Sequence, residues 1–224
     1  MTRPPGWIVL VVVGCLLLGW WMSNPSPSLP SPATATANAT AGSARADTSA
    51  CPLPPLVARG AAPLQSEVPS SMPVLPLEDA TLQPLAGFSV EARVLGREDY
   101  RMGREADFSP TDLALGWGRM TEDAVLARLN ISQGGRWYRY SWKTDPPIPV
   151  GEIVRSSANM HMVPADDAVA AALRDVDAGD RVRIDGWLVQ VNTPDGWRWR
   201  SSLTREDSGG GACEVVYVCS VTQL

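Results

Sequence analysis

Histidine is nearly absent from this chain of 224 residues, which contains one, His161. A single imidazole sharply limits acid–base and metal chemistry, because both usually draw on histidine side chains. Cysteine is also scarce, and the four that occur are too few for a fold held together mainly by disulfides. An excess of basic residues is missing as well: the net charge of −5 disfavours a general nucleic-acid binder, since phosphate contacts require a basic surface.

A long uncharged run, WIVLVVVGCLLLGWWM, occupies residues 7–22 near the N-terminus. As a helix it is roughly 24 Å long, near the lower limit for a membrane span. Tryptophans lie at both ends of the run, where their rings favour the membrane interface, and Arg3 before it favours a cytoplasmic N-terminus. We therefore predict that residues 1–22 form an uncleaved signal anchor. A cleaved signal peptide is the alternative.

Proline, alanine and serine dominate residues 23–86, which carry little charge. Such a composition does not provide a hydrophobic core and is typical of a disordered linker. Residues 74–77 are apolar and are a candidate for local docking. Residues 87–224 remain as one folded domain. With the anchor, this predicts a single-pass protein of the bacterial inner membrane whose C-terminal domain is periplasmic.

Residues 87–224 predict an α+β fold: a curled antiparallel sheet or small OB-like barrel with two or three short helices. Two long strands joined by a turn at residues 193–196 account for residues 179–203, and Gly186 interrupts their alternation, which suggests a bulge or bend. Apolar residues with helical spacing follow Pro164. The remaining expectations are a strand at 87–95, a loop at 96–107, one or two helical turns at 111–117, a short helix after Thr121, and strands at 136–142, 152–155 and 213–221.

Two strands combine aromatic and cationic residues. Residues 136–142 place Trp137 on one face and Tyr140 on the other, interleaved with Arg139, while Trp197 and Trp199 alternate with arginines. Such surfaces can stack on and clamp a ligand. The alternative is structural: central strands whose tryptophans fill the core and whose arginines reach solvent. The candidate binding residues are Trp137, Arg139, Tyr140, Arg198 and Arg200.

Candidate catalytic residues are few. Cys213 as a nucleophile with His161 as its base is a weak possibility, as is His161 with a carboxylate. Met160 and Met162 flank His161, but in a strand His161 points away from both, and the spacing of the cysteines does not suit a compact zinc site. We therefore predict no metal and no cofactor, and a binding protein in preference to an enzyme.

Three cysteines are candidates for a disulfide: Cys51, Cys213 and Cys219. Six residues separate the last two, so a straight strand holds them roughly 20 Å apart, too far to bridge. Cys51 could pair with either one. The sequence slightly favours Cys51–Cys213 over Cys51–Cys219 or over no bridge.

Two motifs, SANMHMVPA at residues 157–165 and GWRWRSSLTR at 196–205, give a resemblance. In them the chain resembles an uncharacterised family of bacterial membrane-anchored or exported proteins. The resemblance implies an envelope location and carries no functional residue. The binding or assembly module is predicted from other features: the anchor, the linker, the aromatic and cationic strands and the lack of a catalytic constellation. Its expected partners are the membrane, through the single N-terminal span, and an envelope protein or glycan. The alternative is an envelope hydrolase or transferase.

Overall fold

The computed structural model describes residues 51–204 and 213–224. The predicted signal anchor and residues 23–50 of the predicted linker lie outside the described residues. None of the helices within those two ranges is long and apolar enough to cross a membrane. The described part is mostly sheet, with ten strands and four short helices, which confirms the predicted α+β class.

The strands are β1 Leu64–Ser66, β2 Leu75–Leu77, β3 Ala80–Asp99, β4 Thr111–Gly116, β5 Asn130–Gly134, β6 Trp137–Ser141, β7 Ser157–Pro164, β8 Arg181–Asn192, β9 Arg198–Arg200 and β10 Glu214–Gln223. The helices are α1 Arg104–Phe108, α2 Asp123–Leu126, α3 Val150–Arg155 and α4 Asp167–Arg174. A 3-10 turn, Gly118–Thr121, precedes α2.

Eight strands form one curled sheet in the order β1-β3-β4-β7-β10-β8-β9, with β2 paired to β3. The long strand β3 pairs with β8 as well as with β4, so the path β3–β4–β7–β10–β8 returns to β3. Within this path β7 and β10 are parallel and the other neighbours are antiparallel. Strands β5 and β6 form a separate hairpin.

Gly186 lies where three strands approach closely, between Phe88 on β3 and Val218 on β10. A Cβ at Gly186 would lie 2.1 Å from the Tyr217 carbonyl oxygen, so only glycine fits. The sequence predicts a bulge or a bend in this strand at Gly186, and the bulge is not there. The register shift lies instead in the partner strand, between Val218 and Ser220, where Cys219 is the additional residue.

The core lies inside the curl of the sheet and is closed on one side by α4. Asp166 caps this helix, because its side chain accepts a hydrogen bond from the Val169 backbone N–H at 2.8 Å. The helix predicted after Pro164 is therefore confirmed. The core is aliphatic and includes Phe88, Val90, Leu113, Leu115, Met160, Met162, Leu173, Ile184, Leu188 and Val216.

Several local predictions are wrong. Residues 111–117 are predicted to form helical turns, but residues 111–116 form β4, because all six residues from Thr111 to Gly116 are buried between β3 and β7. Residues 152–155, predicted as a strand, belong to α3. The loop predicted at 96–107 contains the end of β3 and most of α1.

The predicted linker also requires correction, since residues 51–86 contain β1, β2 and the start of β3. We call residues 51–66 the N-terminal strap. It lies against the outside of the sheet: the Pro52 carbonyl accepts a hydrogen bond from Trp187 Nε1 at 2.7 Å, and the Val57 N–H donates to Ser89 Oγ at 2.8 Å. Leu75 and Leu77 of β2 are buried, as their apolar character suggested.

A disulfide between Cys51 and Cys219 joins the strap to β10, with the Cα atoms 5.3 Å apart. The slight preference for Cys51–Cys213 is therefore wrong. Cys213 lies just before the other end of β10, with its Sγ 3.9 Å from the Arg136 carbonyl oxygen. The start of the strap lies near the Cys219 end, as the contact between Pro52 and Trp187 shows.

Candidate functional site

A buried carboxylate, Asp112, lies at the centre of the candidate site. On β4 the alternate residues Leu113 and Leu115 enter the core, so Asp112 faces the outside of the sheet. Its side chain is nevertheless 0% exposed, and a buried charge requires polar partners. Strand β7 runs beside β4 in a register that pairs Asp112 with His161.

Four polar side chains surround this carboxylate, and with it they form the Asp112 cluster: Asp112, Gln133, Arg136, Asn159 and His161. Its Oδ1 atom accepts hydrogen bonds from Arg136 Nη1 at 2.6 Å and from His161 Nδ1 at 2.8 Å. Its Oδ2 atom accepts one from Asn159 Nδ2 at 3.1 Å. Gln133 Nε2 donates to Asn159 Oδ1 at 2.7 Å. One carboxylate thus joins β4, β7 and the β5–β6 hairpin.

Arg136 reaches the cluster from an unusual backbone position. It follows Gly135 in the two-residue turn of the β5–β6 hairpin, and both residues have positive φ, 60° for Gly135 and 69° for Arg136. This is the combination that a type I′ turn requires, and it is uncommon for a residue with a side chain. The surrounding contacts must therefore hold Arg136 in place, which is typical of functional sites.

Tyr100 supplies part of that support. Its hydroxyl accepts a hydrogen bond from the Arg136 backbone N–H at 2.8 Å, and its ring centroid lies 3.9 Å from the guanidinium carbon. Burial raises the pKa of Tyr100 above its ordinary value, although the hydrogen bond from Arg136 opposes the shift. On the other side, the Trp199 ring lies 5.9 Å from the same guanidinium carbon. The cation is therefore held by a carboxylate and two aromatic rings.

His161 is oriented by the same carboxylate. Because a carboxylate accepts hydrogen bonds, Nδ1 of His161 is the donor in this contact. The ring packs 4.8 Å from the Trp199 ring, and the residue is 3% exposed. The arrangement fixes the tautomer as in Asp–His pairs of catalytic sites, but the imidazole is covered. Its geometry suits a support for Trp199 better than proton exchange with a substrate.

Aromatic rings continue from the cluster to the surface. The Trp197 ring lies 6.1 Å from Trp199 and 5.8 Å from Phe108 of α1, and the Arg104 guanidinium lies 4.8 Å from the Trp197 ring. Arg104 also pairs with Asp195 at 2.5 Å, and this hydrogen bond holds the pKa of Asp195 well below its usual range. Trp197 and Trp199 are half-buried, so each presents part of a ring to solvent.

The predicted binding residues lie in two separate sheets. Trp137, Arg139 and Tyr140 are on β6 of the hairpin, and the Arg139 guanidinium donates to the Gly134 carbonyl of the same hairpin. Tyr140 packs against the small core beside α2 and α3. Arg198 and Arg200 are exposed on β9, where Arg200 bonds Gln190 of β8 at 3.0 Å. Arg136 is one of the links between the two sheets, because it lies in the hairpin turn and its guanidinium contacts Asp112 and Trp199.

The two weak catalytic candidates lie on neighbouring strands. The register pairs His161 with Val215, and Cys213 comes two residues before Val215, just ahead of β10, so it lies roughly 7 Å away along the strand direction. Within the described residues no hydrogen bond joins His161 to Cys213. The carboxylate partner of His161 is Asp112, at 2.8 Å. Of the combinations considered from the sequence, the structure brings together His161 and a carboxylate.

Metal ligands are not grouped in the part of the chain that the structure describes: no three histidine, cysteine, aspartate or glutamate side chains are placed to hold an ion. Met160 and Met162 enter the core, whereas His161 faces Asp112 on the other side of β7. This is the alternation that the sequence predicted for these three residues.

The candidate residues predicted from the sequence do not include Asp112, Asn159 or Tyr100. Arg136 enters the prediction only as one of the cations interleaved with the aromatic residues of the strand at 136–142. A signal for Asp112 was present, because Leu113 and Leu115 alternate with smaller or polar neighbours, as in a strand. For Arg136 the signal was its position directly after two glycines at a hairpin turn.

Comparison with known proteins identifies no relative: no protein-family model matches this chain, and no curated protein or solved structure does so. The function is therefore inferred from the geometry of the site itself.

Proposed function

We propose that this protein is a membrane-anchored envelope protein whose extracytoplasmic domain acts as a binding or assembly module. The uncharged run at residues 7–22 and Arg3 before it support an anchor in the bacterial inner membrane with the domain in the periplasm. The disulfide between Cys51 and Cys219 adds support, because such bonds persist in oxidising compartments and are rare in the cytosol.

We also infer that the domain is a small OB-like barrel. Its support is the ring of five strands β3–β4–β7–β10–β8, with α4 between β7 and β8. OB-type barrels bind ligands on their second and third strands and on the loops after the first and fourth strands. The corresponding elements here are β4, β7, residues 100–110 and the connection that carries β9. Of the Asp112 cluster, Asp112, Asn159 and His161 lie on these elements, as do Tyr100 and Trp199. Gln133 and Arg136 lie on the β5–β6 hairpin, in the connection between β4 and β7.

The observation that carries the binding assignment is the state of Arg136. Its side chain is 19% exposed, its charge is held by the buried Asp112, and its backbone is fixed in a left-handed turn. A cation immobilised before its partner arrives loses little conformational entropy on binding. Arginine and tryptophan are also the residue types that contribute most at protein interfaces.

An envelope protein or glycan is the partner that this surface suits. The rings of Trp197 and Trp199 can pack on a sugar face or an apolar side chain. The Arg136 guanidinium, whose charge is balanced by Asp112, can donate a hydrogen bond to an oxygen acceptor of the partner. Nucleic acid suits the protein less well, because the net charge of −5 opposes phosphate binding.

The test is photo-crosslinking of the full-length protein in its own membrane, with a photoreactive residue in place of Arg198. We expect a discrete crosslinked partner that is lost in Arg136→Gln and retained in Arg155→Gln, an exposed arginine on α3. Thermal denaturation of the variants checks that Arg136→Gln is folded. A folded Arg136→Gln that gives the same crosslink as Arg155→Gln would contradict the proposed role of Arg136.

One observation favours the alternative, an envelope hydrolase or transferase: His161 Nδ1 lies 2.8 Å from the Asp112 carboxylate. A carboxylate in this position orients a histidine that acts as a base through Nε2. The test is turnover of envelope ester and glycan substrates by the wild type and by His161→Gln. Turnover that His161→Gln abolishes without a loss of thermal stability would establish the enzyme. Equal turnover by both proteins would exclude His161 as the base.

A further inference from the structure

A cavity of about 290 Å³ lies where the end of β3, the start of β4, the end of β7 and α4 meet. Met162, Ala170 and Leu173 form an apolar wall, and each of them is buried in the fold. The volume is at the low end of the roughly 300–1,000 Å³ that is typical of ligand pockets. The cavity is therefore large enough for a small organic molecule.

Two polar residues that line the cavity, Arg97 and Asp99, already have partners. Arg97 donates to Asp99 Oδ1 at 3.0 Å and to the Val176 carbonyl at 2.7 Å just after α4. Asp99 also accepts a hydrogen bond from the Thr111 hydroxyl at 2.6 Å. The Arg97 cation and the Asp99 carboxylate therefore form an ion pair, and the pair presents no net charge to a ligand.

Two further cations line the cavity, Arg101 and Arg174, and both residues are exposed. Within the described residues neither guanidinium has an ion-pair partner, although the chain as a whole carries a net charge of −5. An apolar wall beside two available cations is complementary to a molecule with one acidic group on a compact apolar body. We propose that this cavity binds such a small organic anion, with its acidic group at Arg101 and Arg174 and its apolar body against Met162 and Leu173.

The cavity shares Tyr100 with the candidate functional site, because Tyr100 lines the cavity and also holds Arg136. The proposed anion site nevertheless depends only on the cavity, its apolar wall and its two arginines. It stands whether or not Arg136 binds an envelope partner, and its test uses neither Arg136 nor the crosslinking experiment.

The experiment compares two dyes that share an apolar body and differ in charge: 8-anilinonaphthalene-1-sulfonate and its neutral analogue N-phenyl-1-naphthylamine. Both are titrated by fluorescence into the full-length protein. We expect the sulfonate to bind at one site and more tightly than the neutral dye. Arg101→Gln and Arg174→Gln should each weaken sulfonate binding about three- to fivefold, as for partly exposed ion pairs. Arg155→Gln, the matched exposed arginine, should leave it unchanged.

The position of the dye is checked by NMR of methyl-labelled methionine, with the Met162 signal assigned from Met162→Leu. At saturation the Met162 methyl resonance should shift, and inorganic phosphate alone should not displace the dye because it lacks the apolar body. Three results would overturn the site: equal binding of the two dyes, equal weakening in Arg155→Gln and Arg101→Gln, or an unshifted Met162 methyl. Since the arginines are exposed, their variants should remain folded.

Discussion

Asp112 is the residue on which the candidate site depends most directly, because its carboxylate accepts from three side chains and is fully buried. A buried ion pair adds little net stability when it is complete, since desolvation offsets the attraction. Removal of one partner is different, because it leaves the other charge without compensation in a medium of low polarity. Substitution of Asp112 should therefore destabilise the protein, even though the intact ion pair with Arg136 contributes little to stability.

We expect Asp112→Asn to lower the free energy of unfolding by about 3 kcal/mol, because Arg136 would keep its charge and lose its carboxylate. Urea denaturation followed by tryptophan fluorescence measures the change. Asp123→Asn is the matched control, since Asp123 pairs with Arg93 but its side chain is 89% exposed, and its unfolding midpoint should not move. An Asp112→Asn midpoint equal to that of the control would show that the Arg136 charge does not depend on the Asp112 carboxylate for its compensation.

Gly186 is constrained by space. A Cβ at this position would meet the Tyr217 carbonyl oxygen at 2.1 Å, and that atom belongs to backbone. We expect Gly186→Ala to destabilise the protein by about 3 kcal/mol or more, through separation of β8 from β10. Gly134→Ala is the control, because a Cβ there has nothing within 4 Å. Thermal denaturation should separate the two variants clearly, and similar melting temperatures would contradict the close approach.

At the scale of elements, the β5–β6 hairpin is held to the rest of the fold by side chains on one face. Tyr140 packs beside Ile148 and Ile153, while Tyr138 lies near Ser157 at the start of β7, with 3.5 Å between the two hydroxyl oxygens. The other face is exposed, as Trp137 and Arg139 show. The partly buried tyrosines Tyr138 and Tyr140 thus hold the hairpin in place, and with it Arg136. Because burial changes the pKa of these tyrosines, the stability of the protein should depend on pH in the alkaline range.

Burial raises the pKa of Tyr138 from 10.0 to about 12. Below pH 10 the phenol is neutral in the folded and unfolded states, so its contribution to stability is complete. Between pH 10 and 12 the unfolded state ionises first, and stability is lost. We expect the free energy of unfolding to fall less steeply across this window in Tyr138→Phe than in the wild type. Urea denaturation from pH 8 to 11.5 measures the slopes, and identical slopes would contradict the assigned burial.

Among the elements that the sequence predicted correctly, α4 has one buried and one exposed side, so its apolar spacing is visible along the chain. Strand β4 was missed because Pro110 and Asp112 imitate a helix start, whereas burial on both sides decides its structure. The candidate site was mostly missed for a related reason. Asp112 and His161 are 49 residues apart, and only the pairing of β4 with β7 brings them together.

At the scale of the whole molecule, the strap shows why composition failed to locate the start of the domain. Proline content is an average over many residues, and it does not reveal individual side chains that pack on the domain. Three such residues are Cys51, Val57 and Leu75, all of which are buried. Gly87 permits the approach, because a Cβ there would lie 2.8 Å from the Pro54 side chain. The folded unit therefore includes residues from at least 51 onward, and a fragment that begins at residue 87 would lack part of the sheet.

The disulfide between Cys51 and Cys219 closes a loop with a sequence separation of 168. Its loss should detach the start of the strap from β10 and raise the conformational entropy of the unfolded chain. We expect Cys51→Ser/Cys219→Ser to lower the free energy of unfolding by about 2–5 kcal/mol. The Trp187 indole N–H, bonded to the Pro52 carbonyl, should then exchange faster with deuterium. Urea denaturation with and without reductant measures the first effect, and NMR measures the second. Cys213→Ser should keep the wild-type response to reductant. If Cys213→Ser no longer responds to reductant, the bridge involves Cys213, and its assignment to Cys219 is wrong.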